Sequence, residues 1–170
     1  SLYGIGKYAC EMITTRYGQL HDFQTVSVRF SSVYGPMERQ TGHRSVMSLV
    51  CRWTGQALRR EVIDRSQVSK DQDFVYGQDV GDAVVHILDS PYLSHQVYNI
   101  GSGVRVSNAQ LEDAILKVLP ATKFSGVQAD INSPPQRGLM DITRLKEAGY
   151  TPPSDIYSGI KKFIEWRKES

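Results

Sequence analysis

Tyr3 and Lys7 stand four positions apart at the head of the chain, in Ser1-Leu2-Tyr3-Gly4-Ile5-Gly6-Lys7. On a helix that spacing puts a phenol and an ammonium on one face, where both can meet one ligand. A phenol is a weak base at neutral pH, and an adjacent positive charge favours its ionised form. The pair is therefore suited to taking a proton from a substrate hydroxyl and returning it. With nine tyrosines in 170 residues the pattern arises easily, and Tyr157 and Lys161 form a second copy. No strand with a Gly-Pro loop follows that copy, so it reads as an ordinary helical pair. Context selects Tyr3.

That context is a succession of three further segments: Arg29-Phe30-Ser31-Ser32-Val33-Tyr34-Gly35-Pro36, then Asp73-Phe74-Val75-Tyr76-Gly77-Gln78-Asp79-Val80, then Tyr98-Asn99-Ile100-Gly101-Ser102-Gly103. Taken in this order with Tyr3 and Lys7, they resemble the extended short-chain dehydrogenase/reductase family, the NAD(P)-dependent epimerases and dehydratases of nucleotide sugars. The resemblance runs from Tyr3 nearly to the last residue and covers the family's C-terminal half. It implies that Tyr3 is the acid/base with Lys7 as its catalytic partner, that both meet the cofactor, Lys7 by holding the nicotinamide ribose, and that the backbone around Phe30 and Val33 meets the nicotinamide carboxamide. NAD or NADP is the implied cofactor, with NAD preferred, and a homodimer pairing the helix from Tyr3 to Leu20 with its symmetry mate is implied too.

The sequence departs from the family pattern at three positions. Ser32 stands where Asn is usual in Arg-x-x-Asn-x-Tyr-Gly-Pro. Gln72 stands where the family carries an Arg that grips a sugar-nucleotide diphosphate, and a neutral amide cannot supply that charge. Gly6 replaces the Ser before the lysine, at a cost of roughly 1 kcal/mol in a helix interior relative to Ala; close packing against the cofactor or a neighbouring helix is the reading it invites. Arg137, with Asp141 four on, resembles the family's late Arg-x-x-x-Asp segment, where the Arg reaches the substrate; a solvated surface arginine is the competing reading. Ser32, Gln72 and Arg137 are the substrate-facing candidates.

The elements that must position these residues follow from periodicity. Ile5, Ala9, Met12 and Ile13 recur at helical spacing, and Gly18 lies near the stop. Thr25 to Phe30 alternates as a strand, and Tyr34-Gly35-Pro36 breaks it. Val46, Leu49, Val50 and Trp53 mark a second helix, and Arg60–Asp64 a short strand. A polar turn over Ser66–Asp71 precedes a brief strand at Phe74 and Val75. Asp79 reads as the N-cap of a helix carrying Ala83, Val84 and Ile87. Val97–Ile100 is a strand, and Ser107 with Gln110 forms a capping box for a helix through Leu119. Lys123–Val127 reads as a strand, Pro134-Pro135 opens an extended passage, Thr143 caps a short helix ended by Gly149, and Ser154 or Asp155 caps the last helix. Helices alternating with strands give an α/β chain. The expected architecture is the C-terminal part of a doubly wound Rossmann-type NAD(P)-binding fold plus a small mixed α/β substrate lobe. Residues 1–40 would end the dinucleotide-binding domain, and residues 41–170 would form mainly the substrate lobe, with elements returning to the Rossmann sheet.

A dinucleotide fold also needs a Gly-rich turn after its first strand and a ribose selector about 20 residues on. Neither is in this sequence, and a complete homologue would carry on the order of 150 further N-terminal residues to build that half. The composition is globular, 40 % apolar and 22 % charged. A net charge of +2 with scattered Lys and Arg makes no phosphate-tracking stripe, which argues against nucleic acid. No run approaches a membrane span. Cys10 and Cys51 lie in helical segments and read as buried free thiols, so a cytoplasmic setting fits. The four histidines lack metal-site spacing, and no metal is expected. Two function classes remain: an NAD(P)-dependent epimerase, dehydratase or dehydrogenase of a sugar or nucleotide-sugar, here without its cofactor half and inactive alone, or a truncated non-catalytic binding module derived from it. An unrelated α/β domain would not explain the ordered motifs.

Overall fold

A computed structural model describes residues 1–39, 41, 47–66, 73–127 and 138–169. The first element is α1 (Leu2–His21), opened by Ser1, whose hydroxyl accepts from the Gly4 amide. It closes at Asp22 in the left-handed region, φ 53°. Gly18 is the one buried residue of this helix, because a Cβ there would stand 2.8 Å from both the Phe23 carbonyl and Thr25. That contact turns the chain into β1 (Ser27–Phe30), shorter than the alternation from Thr25 suggests.

Among the described residues the paired strands run parallel. β1 pairs with β5 (Val97–Ile100), β2 (Ser32–Tyr34) with β4 (Phe74–Tyr76), and β3 (Ile63–Asp64) with β6 (Phe124–Ser125). One residue separates β1 from β2. The Ser31 amide still donates to Ile100, whereas the Ser32 amide donates to the Asp73 carbonyl, so the chain changes partner at Ser31. In open α/β sheets ligands bind outside the carboxyl ends of strands, and this link lies at the carboxyl end of β1. α1 is joined by α2 (Leu49–Leu58), α3 (Gly77–Asp89), α4 (Asn108–Val118), α5 (Thr143–Glu147) and α6 (Ile156–Glu169).

Two apolar clusters hold these elements. Trp53 and Val50 of α2, Ile63, Leu111 and Ile115 of α4, and Ile160, Phe163 and Ile164 of α6 close around Tyr34 and Tyr76. Ala83 and Ile87 of α3 pack with Tyr98, Ile100, Ile142 and Leu145, and Val26 and Val28 add to them. The second cluster thus seats β1 and β5 against α3 and α5. Burial of Tyr34 pushes its phenol well above the ordinary value, and burial of Tyr150 pushes that group up to about 12. A phenol raised in the folded state contributes stability that is complete below the unfolded value near 10 and is lost as pH rises through the folded one. Alkaline unfolding, followed by circular dichroism with tyrosinate absorbance, should therefore set in above about pH 10, with tyrosinate from these two residues appearing only as the fold is lost.

Several local expectations need correction. Asp79 does not cap α3; Tyr76 holds that position, and Asp79 turns inward, where it accepts from the Ser154 amide at 2.8 Å and hydroxyl at 2.9 Å. Thr143 is the first helical residue of α5, its amide bonded to the Asp141 carboxylate, and Gly149 at φ 93° follows the helix as expected. Asp155 rather than Ser154 caps α6, accepting from the Ser158 amide. Arg60 takes φ 58°, so the strand expected from it is confined to Ile63–Asp64. Cys10 is exposed, and only Cys51 is buried. Within this chain, no other element comes within 4 Å of a Cβ built on Gly6. The Ser107–Gln110 capping box is present as expected. Val46, the turn beyond Ser66 and the Pro134-Pro135 passage lie outside the described residues.

Candidate active site

Tyr3 and Lys7 share a face of α1, with the Lys7 ammonium 5.6 Å from the centre of the Tyr3 ring. Both are open to solvent, and Tyr3 is 75 % exposed. One turn further along the same stripe is Glu11. Lys7, Gly4, Tyr8 and Glu11 line a groove of about 470 Å³ whose opposite wall is Val26–Arg29 of the β1 segment. Across it the Arg29 guanidinium donates twice to Glu11, at 2.7 and 2.9 Å. Those hydrogen bonds hold the Glu11 carboxyl below the usual range. The clamp fixes α1, and with it Tyr3 and Lys7, relative to β1. Half of the Arg29 side chain is solvated, so the pair stabilises the fold by less than about 1 kcal/mol. Glu11→Gln should accordingly lower the melting temperature by no more than roughly 4 °C in a thermal melt.

At the carboxyl end of β1, Phe30 is half exposed, and Ser32 and Val33 follow on β2, in register with Phe74 and Val75. The structure thus places five of the seven candidate residues in two groups: Tyr3 and Lys7 on α1, and Phe30, Ser32 and Val33 on the β1–β2 link. Lys7 shares its groove with the strand that leads to that link. Gln72 and Arg137 lie outside the described residues. Tyr157, of the second Tyr-x-x-x-Lys copy, lies under the Lys117 ammonium, 4.1 Å from its ring centre, and so serves packing between α4 and α6. A larger cleft of about 550 Å³, lined by Glu38, Arg39, Arg52, Arg59 and Arg167, contains none of the candidate residues. Among the described residues no group of His, Cys, Asp and Glu converges to hold a metal, and no helix is long and apolar enough to cross a membrane.

Two residues that position this region were not singled out from the sequence. Glu11 was visible in principle, four positions beyond Lys7. Asp73 heads one of the segments that carry the resemblance, but its role does not show there, because an acidic residue before a short strand looks the same whether it is solvated or buried.

The model of the NAD dependent epimerase/dehydratase family matches residues 1–101, more than half of the chain. The chain belongs to that family. Among the relatives of this family member, the UDP-glucose 4-epimerase of Mycolicibacterium smegmatis is 27 % identical over 98 % of this chain and 52 % of its own length. The UDP-glucuronate 4-epimerase 1 of Arabidopsis thaliana is 26 % identical, over 98 % of this chain and 42 % of its own. A solved UDP-N-acetylglucosamine 4-epimerase from Methanobrevibacter ruminantium, in complex with UDP-N-acetylmuramic acid, superposes with a TM-score of 0.79 at 20 % identity, over 99 % of this chain and 54 % of that one. The UDP-glucose 4-epimerase of Thermus thermophilus, solved with NAD, gives 0.73 at 23 % identity, over 100 % and 55 %. The chain spans about half the length of the curated relatives it matches. Its fold is part of the Rossmann-type α/β architecture of this epimerase/dehydratase family.

The family implies a nicotinamide dinucleotide, and the described residues fit one end of it. A phenol, an ammonium and the exposed carboxyl end of β1 are what a ribose and a carboxamide would need. The pyrophosphate end would need a Gly-rich strand-to-helix turn, which this sequence does not contain.

Proposed function

We propose that this chain supplies the acid–base pair and the substrate lobe of an NAD(P)-dependent epimerase, dehydratase or dehydrogenase acting on a sugar or nucleotide-sugar, NAD being the preferred cofactor. The observation that carries the reading is the pairing of Tyr3 and Lys7 on a helix clamped to β1, within a chain of this family. In this reading Tyr3 moves the hydroxyl proton, while Lys7 holds the nicotinamide ribose and favours the ionised phenol. The backbone at Phe30 and Val33 orients the carboxamide, and Ser32, Gln72 and Arg137 face the sugar. When bound, the nicotinamide ring supplies reversible oxidation of the substrate carbon. Residues 1–40 belong to the dinucleotide-binding domain and residues 41–170 mainly to the substrate lobe, with β5, α3 and α5 returning to the sheet, as the second apolar cluster suggests. The setting is cytoplasmic.

The remainder of the cofactor half and a second copy of the chain are the partners this reading requires. Its support is the surface of α1, which leaves Leu2, Tyr3, Ile5, Tyr8, Met12, Ile13, Tyr17 and Leu20 each more than half exposed. Apolar surface of that extent marks a covered interface. The chain alone should self-associate in a concentration-dependent way by light scattering, and supplying the cofactor half should leave a homodimer. A monomer at every concentration would contradict this part.

The competing reading is a truncated non-catalytic module that keeps the scaffold without the cofactor, whereas Gln72 in place of the diphosphate-gripping Arg bears on whether the sugar carries a nucleotide diphosphate. Titration with NAD, NADP and a panel of UDP-sugars separates the two, once the cofactor half is supplied. Turnover of one sugar supports the enzyme. Sugar binding with neither dinucleotide bound supports the module.

A further inference from the structure

Asp73 is 4 % exposed, and its carboxylate collects donors from two separate segments. Oδ1 accepts from the Ser102 amide at 2.8 Å and the Ser102 hydroxyl at 2.9 Å. Oδ2 accepts from the Gly103 amide at 3.2 Å and the Met140 amide at 3.0 Å. Its own carbonyl takes the Ser32 amide at 3.1 Å. One residue therefore ties the turn after β5 and the segment before α5 to the link between β1 and β2. Packing at this point leaves no slack: a Cβ on Gly101 would stand 3.0 Å from Asp73 Oδ2, Met140 Cβ and Ser31 Oγ alike.

A carboxylate suits this node because it only accepts, and all four groups aimed at it donate. An amide in its place would turn an NH₂ toward amide donors, and the turn after β5 would have to move. We propose that Asp73 is a positioning residue for the crevice at the carboxyl ends of β1 and β5, holding the Phe30–Val33 link in place for the nicotinamide end of the cofactor. The proposal rests on the functional reading above. Asp73 touches neither cofactor nor sugar; it acts through the Ser32 amide and through the β5 turn that packs on Ser31.

The test uses the protein with its cofactor half supplied and compares Asp73→Asn with Ser102→Ala, which removes one donor and keeps the carboxylate. In Asp73→Asn the amides of Ser102, Gly103 and Met140 should lose protection from hydrogen exchange. NAD binding should weaken roughly fivefold and kcat should fall about tenfold, while KM for the sugar stays within about twofold. Ser102→Ala should show the same pattern at about one third of the size, and it decides the matter if Asp73→Asn does not fold. A folded variant with faster exchange at those amides but unchanged NAD affinity and kcat would overturn the proposal, as would an equal loss in sugar KM. Tyr3→Phe, run alongside, separates the two claims. If that variant is fully active the acid–base reading fails, whereas the NAD affinity of Asp73→Asn still tests the positioning role.

Discussion

Tyr3→Phe should abolish turnover, with kcat lower by about 10²- to 10⁴-fold, when the chain is assayed with its cofactor half and a UDP-sugar substrate. The substitution removes a single oxygen from a side chain that is three-quarters exposed and that no described element packs around. Stability should therefore not change, and a thermal melt within about 2 °C of the parent is the control. Sugar and NAD affinities should stay within a few-fold, because the hydroxyl is one of several groups that meet the cofactor end and its main task is to move a proton. The loss belongs in kcat, as for an interaction made only in the transition state. Undiminished kcat would remove Tyr3 from the chemistry. A large rise in KM with kcat unchanged would make it a binding residue instead.

Gly159→Ala should lower the stability of the molecule markedly. Gly159 lies in α6 against Tyr34, whose ring is 2 % exposed between Tyr76 and Phe163, and a Cβ at Gly159 would collide with the Tyr34 hydroxyl. Neither partner can move away, since Tyr34 ends β2 and α6 closes the larger core. Overpacking costs roughly 1–3 kcal/mol, against about 1 kcal/mol gained by replacing a helical glycine. Here the clash falls on the inflexible end of a buried ring, so a net loss of about 2 kcal/mol is expected, read as a drop of roughly 4–8 °C in melting temperature. Tyr34→Phe in the same chain should restore most of it, because the next atom in line, Tyr34 Cζ, is 3.1 Å from that Cβ. The double-mutant cycle should show a favourable coupling between the two changes. Additive losses would mean that the crowding is not between these two side chains.

Much of this architecture is local, and local features are legible in a sequence. Ser107 and Gln110 announce a helix start because their bonds close within four residues, and α4 begins where they place it. Val97–Ile100 alternates between two burial states, and β5 has those bounds. What escaped were bonds between distant residues. Asp79 carries the residue type and position of a cap, yet its carboxylate serves Ser154, 75 positions away. Asp73 joins residues 29 and 67 positions distant, and Arg29 pairs with Glu11, 18 positions away. A charged side chain advertises its chemistry but not its partner. The Tyr3–Lys7 pair was legible because both its members stand on one helix.

The central claim is that Tyr3 and Lys7 act as one unit upon a sugar and a nicotinamide ring. Its most direct measurement is the near-ultraviolet absorbance of reduced nicotinamide during a single turnover, with the chain, its cofactor half supplied and NAD loaded, mixed with UDP-glucose and followed in parallel for sugar product. The absorbance should rise and decay within the turnover in the parent protein, and it should be absent in Lys7→Ala together with the product. Sugar product formed with that absorbance flat, and at the same rate in Lys7→Ala, would contradict the account.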